Sequence, residues 1–230
     1  MSDTIYQGAA LIVPLIFAIV FHEVSHGLVA RQLGDPTAQE QRRLSLNPLR
    51  HVDPIGTVIL PGILALAKLP VFGWARPVPV DASRLRHPRS GMMLVAAAGP
   101  ASNLVLAALS AVALGLIGRL AGDQAAPNAL AAFVVLNLIN FIAINVFLAL
   151  FNLLPIPPFD GSHIVEGLLP ASAARVYGSL RRGGMFVVIA LLLILPQVIP
   201  GFDPVGRIVM PPVQWLLHKY YALAGLIAGG

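Results

Sequence analysis

Residues 5–30 read IYQGAALIVPLIFAIVFHEVSHGLVA, an apolar run in which nothing ionisable precedes His22. A run of about 20 such residues is long enough to cross a bilayer. In lipid it is confined to a helix, because its backbone polar groups must find partners within the segment. Into this run the chain places His22-Glu23-Val24-Ser25-His26. The i, i+4 spacing sets both imidazoles on one helix face, one turn apart. Two neutral imidazoles so placed can share one zinc ion. Glu23, beside His22, is positioned to take a proton from an attacking water. Each ionisable group costs about 2.5–3.5 kcal/mol within an apolar span, so three together mark a site and not a pair of helix-terminal histidines.

The rest of the composition places the run in context. The 230 residues are 57% apolar and 11% charged, against about 25% charged in a soluble domain. With a mean hydropathy of +0.81, the chain reads as a polytopic membrane protein with a single domain over residues 1–230. It has no cysteine, which excludes disulfides and thiolate ligands and leaves His, Asp and Glu to hold any metal. The opening MSDT lacks a basic n-region, so the first apolar run reads as a retained helix and not a signal peptide. The net charge of +5 does not point to nucleic acid. Of 15 Lys and Arg, 12 fall between residues 31 and 89 or between 175 and 182, the pattern of cytoplasmic loops. That puts segments 31–90 and 156–183 in the cytoplasm, with the N-terminus and loops 120–128 and 200–204 outside. His22 and His26 then lie toward the cytoplasmic half of the first helix, in a multi-pass protein of the cell membrane.

The expected fold is all-α, with about five transmembrane helices, a re-entrant or interfacial segment and a short surface β-ribbon. The first helix spans about 5–33 and stops at Gly34-Asp35-Pro36. The apolar piece Ile55–Leu69, broken by Gly56, Pro61 and Gly62, is too short for a span. VFGWARPVPVD, residues 71–81, reads as the extended ribbon. Further helices are expected at about 91–119, 129–153, Asp160–Leu169, 184–199 and 205–227.

Two histidines leave a zinc site in need of a further protein ligand. Asp160, in NLLPIPPFDG, is open to two readings from spacing: that ligand, or the N-cap of the short helix after it. His163 and Glu166 are rivals for the ligand role, though Glu166 reads more simply as facing solvent or an Arg. His51, His87 and His218 sit near polar or interfacial segments and carry no assigned role. Within AAAGPASN, Gly99 and Ala101 permit close helix approach, and Pro100 loosens the helix locally. Asn103, an amide in an apolar span, either bonds across to a neighbouring helix or steadies a substrate carbonyl or oxyanion.

Together FHEVSHG, AAAGPASN and NLLPIPPFDG resemble, in order, the three motifs of the site-2 protease family of intramembrane zinc metalloproteases. LSLNPLRHVDPIGT and GWARPVPVDASRLRHPR look like its small prokaryotic members. The resemblance spans about residues 14–165. It implies a prokaryotic plasma-membrane protease that binds one Zn2+ per chain through His22, His26 and Asp160 and uses Glu23 as general base and acid. It also implies that Asn103 holds the substrate or transition state and that Asn152 supports the third motif. The implied catalytic core is about 5–165, with additional C-terminal helices at about 184–228. The implied partners are the bilayer and a transmembrane protein or peptide substrate. Phe159 departs from the Leu common in relatives, a matter of packing. No PDZ-like insertion or C-terminal regulatory domain is read. Two other functions use similar residues. A membrane metal transporter would show an internal repeat, and none is seen. A catalytically silent scaffold that binds membrane helices would not need Glu23.

Overall fold

The computed structural model describes residues 2–66, 73–121 and 128–229, and every regular element among them is helical. Ten α-helices occur there. Helix α1 (Ser2–Gln32) carries Pro14 in its interior. Proline there leaves the carbonyl four residues back without its donor, and Asn140 Nδ2 supplies one to Ala10 O at 2.7 Å. The stop expected at Gly34 is built by that residue's positive φ of 112°, which glycine adopts without strain.

Short helices follow: α2 (Thr37–Glu40), then a π-helical turn (Pro54–Ile59) leading into α3 (Leu60–Leu66). The turn and α3 cover roughly 20 Å at 1.5 Å per residue, short of a bilayer core. Residues 67–69 of the expected interfacial segment lie outside the described residues, as do 71–72 of the ribbon and most of loop 120–128.

Residues 73–81 are extended, but no strand forms among the described residues. Their polar groups pair with other segments instead. Trp74 N–H donates to Gly56 O at 3.1 Å and Arg76 N–H to His51 O at 2.8 Å. Val78 N–H donates to Glu23 Oε2 at 2.8 Å, and Asp81 N–H to Asp35 Oδ2 at 2.7 Å. Pro77 and Pro79 offer no N–H at all. The expected ribbon therefore has neither the donors nor the partner strand for a ladder.

Helix α4 (Pro88–Ala121) continues through Pro100 without a break, so the local loosening expected there does not interrupt it. Helix α5 (Ala129–Asn152) follows, and after the Pro-rich turn come α6 (Asp160–Leu168), α7 (Ala171–Ser179) and α8 (Arg181–Ile189). A π-helical turn joins α8 to α9 (Leu195–Val198), and α10 (Met210–Ala228) ends the chain. Among the described residues four helical segments are long and apolar enough to cross a membrane: Tyr6–Gln32, Pro88–Ala121, Ala129–Asn152 and Arg181–Val198. Helix α10 is not among them, because Gln214, His218 and Lys219 interrupt its apolar run.

Helix α4 is the hub, packing against α1, α5, α6 and α10. Burial against lipid gives little hydrophobic drive, so small residues that let backbones approach do the work. Ala107, Ala111 and Gly115 repeat every four residues along α4 and are buried. At Gly115 a Cβ would stand 2.6 Å from Ala224 O of α10 and 2.7 Å from Ile227 Cβ. Ile142 and Val146 of α5 close the same core. Leu11, Ile12 and Phe17 of α1 and Val105 and Leu109 of α4 turn outward, as lipid-facing side chains do. These features together describe an all-α, multi-pass membrane protein.

Candidate metal centre

His22 and His26 lie in the second half of α1, and their rings meet edge to face with centroids 4.7 Å apart. Both are buried. Asp160 arrives from far down the chain as the first residue of α6. Its Oδ2 stands 3.1 Å from His22 Nε2 and 3.4 Å from His26 Nε2. Ligand atoms of the three residues all lie within 4.8 Å of one another. The N-cap reading fails locally: Phe159 holds the cap position, and no side chain caps the helix. Gly161 makes the approach possible, since a Cβ there would run into the Leu153 and Leu154 carbonyls.

The polar atoms behind the rings determine what the site can hold. His22 Nδ1 is 2.6 Å from Asn103 Oδ1. Asn103 Nδ2 donates to Ala18 O at 3.2 Å and to Asn145 Oδ1 at 2.7 Å. The amide's oxygen must therefore face His22, and His22 Nδ1 is the donor. His26 Nδ1 is 2.7 Å from Val95 O, an acceptor only, so it too carries the proton. In their neutral form, the one a metal ligand needs, both rings present a bare Nε2 lone pair toward Asp160. Asp160 Oδ2 is itself buried without a hydrogen bond. Two lone pairs and a carboxylate converging without a donor repel one another unless a cation sits among them. That donor set fits zinc.

Gly99 completes the cradle. A Cβ there would lie 2.5 Å from His26 Cε1 and Nε2 and 2.6 Å from His22 Cε1. Both rings thus rest on the backbone of α4. Glu23 is not in the three-residue cluster. Its Oε2 accepts the Val78 amide, which ties the carboxylate to the extended segment.

The other polar residues read from sequence go elsewhere. Asn103 has no donor left for an oxyanion, since both of its N–H groups are engaged. Asn152 donates to Leu148 O within α5 at 2.9 Å. Glu166 forms an ion pair with Arg181, and His163 Nδ1 accepts from Arg181 Nη2 at 2.9 Å. Burial, then the Arg181 charge, pulls His163 down to about 4, so it stays neutral at pH 7. Asn145 and the Val95 carbonyl were not anticipated. Asn145 is one of four amides, with Asn137, Asn140 and Asn152, in an otherwise apolar helix, and that is its signal. A backbone carbonyl leaves none.

The model of Peptidase family M50 matches residues 10–195. The chain belongs to peptidase family M50. Two relatives, both named "Putative zinc metalloprotease", are similar over most of this M50 chain. YwhC of Bacillus subtilis (strain 168) is 40% identical over 190 residues, covering 81% of this chain and 80% of the relative. Rip2 of Mycolicibacterium smegmatis is 30% identical over 199 residues, covering 84% and 72%. No solved structure matches the chain. Membership of M50 makes this a zinc metalloprotease, and His22, His26 and Asp160 form a possible site for its ion.

Proposed function

We propose that this M50 protein is an intramembrane endopeptidase that hydrolyses peptide bonds within or beside transmembrane segments of other membrane proteins. What carries the reading is the meeting of His22, His26 and Asp160 inside a bundle whose outward faces are apolar. His22, His26 and Asp160 would hold the ion. Zinc, when bound, supplies Lewis acidity and a water whose pKa falls to about 7. Glu23 accepts the proton of the attacking water and hands it to the leaving amine. Asn103 acts on His22 and not on the substrate: it holds the ring's tautomer and direction. A substrate helix shields its own peptide bonds, so it must unwind beside Glu23. The segment that binds Glu23 through Val78 would receive such a strand.

The arginine-rich ends of the bundle support a cytoplasmic orientation of the site in a prokaryotic plasma membrane. The test is Glu23→Gln in proteoliposomes with a single-span substrate. Zinc content should be kept while cleavage falls by about 10²–10⁴. Full activity in that variant would overturn the assignment, and zinc flux across the vesicle would favour a transporter.

A further inference from the structure

Four arginines meet in a cleft that the protease chemistry does not use. Arg42, Arg43, Arg50 and Arg76, with Leu49 and Val52, line a cavity of about 400 Å³ just beyond the end of α1. Among the described residues none of the four pairs with a carboxylate. Three chain segments are stitched together to build it. Arg43 Nη2 donates to Arg76 O at 2.8 Å, Arg50 Nη1 to Arg42 O at 2.6 Å, and Arg76 N–H to His51 O at 2.8 Å. Arg43 is only 8% exposed, yet its Nε is buried without a hydrogen-bond partner. Buried polar groups are rarely left so. Burial, then the neighbouring Arg76 charge, lowers Arg43 from its ordinary value, a penalty an anion in the cleft would relieve.

Like charges gathered around a cleft with unspent donors match a phosphate group, which guanidinium forks bind through paired hydrogen bonds. The rim says where the phosphate comes from. Leu49 and Val52, which line the cleft, are exposed, Leu49 by 78%. A free phosphate has no use for such a rim, whereas acyl chains cover it. We propose that this cleft binds the phosphate headgroup of an anionic phospholipid at the membrane surface, with Leu49 and Val52 dipping into the adjacent acyl layer. The lipid would brace the segment that carries Val78 and hence Glu23, because Arg43 also reaches Pro77 O at 3.4 Å.

The test is titration of the full-length protein in detergent with short-chain phosphatidylglycerol, read by native mass spectrometry. Phosphatidylcholine, inorganic phosphate and an oligoglutamate peptide form the other arms. Phosphatidylglycerol should bind the wild type in preference to phosphatidylcholine. Arg50→Gln and Arg76→Gln should each weaken it about fivefold. Leu49→Gln, which removes the apolar contact without adding a charge to the cleft that Leu49 lines, should weaken the lipid as well. Lipid affinity unchanged in all three variants would overturn the proposal. So would saturation by inorganic phosphate or oligoglutamate at concentrations where phosphatidylglycerol fails to bind.

Discussion

At the scale of single residues, the site depends as much on what stands behind the histidines as on the histidines. Gly99 is the sharpest case. A methyl at that position would occupy the space of both rings, so Gly99→Ala should strip zinc with all three ligands intact. Metal analysis checks this against Gly8→Ala, where nothing lies within 4 Å of the added carbon. Asn103→Ala removes the acceptor that fixes the His22 tautomer and should cost about 10–100-fold in metal affinity. A competition titration with a zinc chelator measures it, and Asn145→Ala should move affinity the same way by less. The two histidines were legible as a pair because their spacing is local to one helix. Asp160 was visible but ambiguous, since spacing alone does not separate a ligand from a helix cap. Asn103 was open to two readings, and its bonds to His22 and Asn145 on neighbouring helices match the first of them: a lone amide in an apolar helix announces a partner without saying which.

At the scale of elements, the informative piece is the extended segment 73–81. Its residue types suit a strand, but two carboxylates and two backbone carbonyls took the partner strand's place. Asp35, fully buried, accepts from Thr37 N–H at 3.0 Å and from Asp81 N–H at 2.7 Å, and from the Thr37 hydroxyl as well. Burial pushes its pKa up, but the Thr37 bonds, the Asp81 amide and Arg84 outweigh it and leave the group below its ordinary value. A carboxylate held below its unfolded value stabilises the fold above that value, about 3.9. The contribution is lost as pH falls toward the depressed folded value. Asp35→Asn should therefore cost about 1–3 kcal/mol at neutral pH and flatten the acid side of a thermal-unfolding profile. Amide exchange at Val78 and Asp81 should quicken in the same variant. The long helices were legible to within a few residues, because their apolar runs are bounded by Gly, Pro and Arg. The segment was not, because its hydrogen bonds go to Glu23, Asp35 and the Gly56 and His51 carbonyls, distant in sequence and silent about it.

At the scale of the whole molecule, one helix organises the rest, with α1, α5, α6 and α10 all resting on α4. The proposed orientation can be measured directly, since the chain has no cysteine and single ones can be introduced cleanly. Leu49→Cys should react with an impermeant maleimide only from the cytoplasmic side, and Gly201→Cys only from the other. Chelation should abolish cleavage and added zinc restore it. The imidazoles that would grip the ion hang from one helix, while the amide and carbonyl that aim them belong to the next. Zinc stoichiometry is thereby a gauge of how firmly the two rods are clasped. A solvent that pries them apart should leach the metal before any ligand is altered.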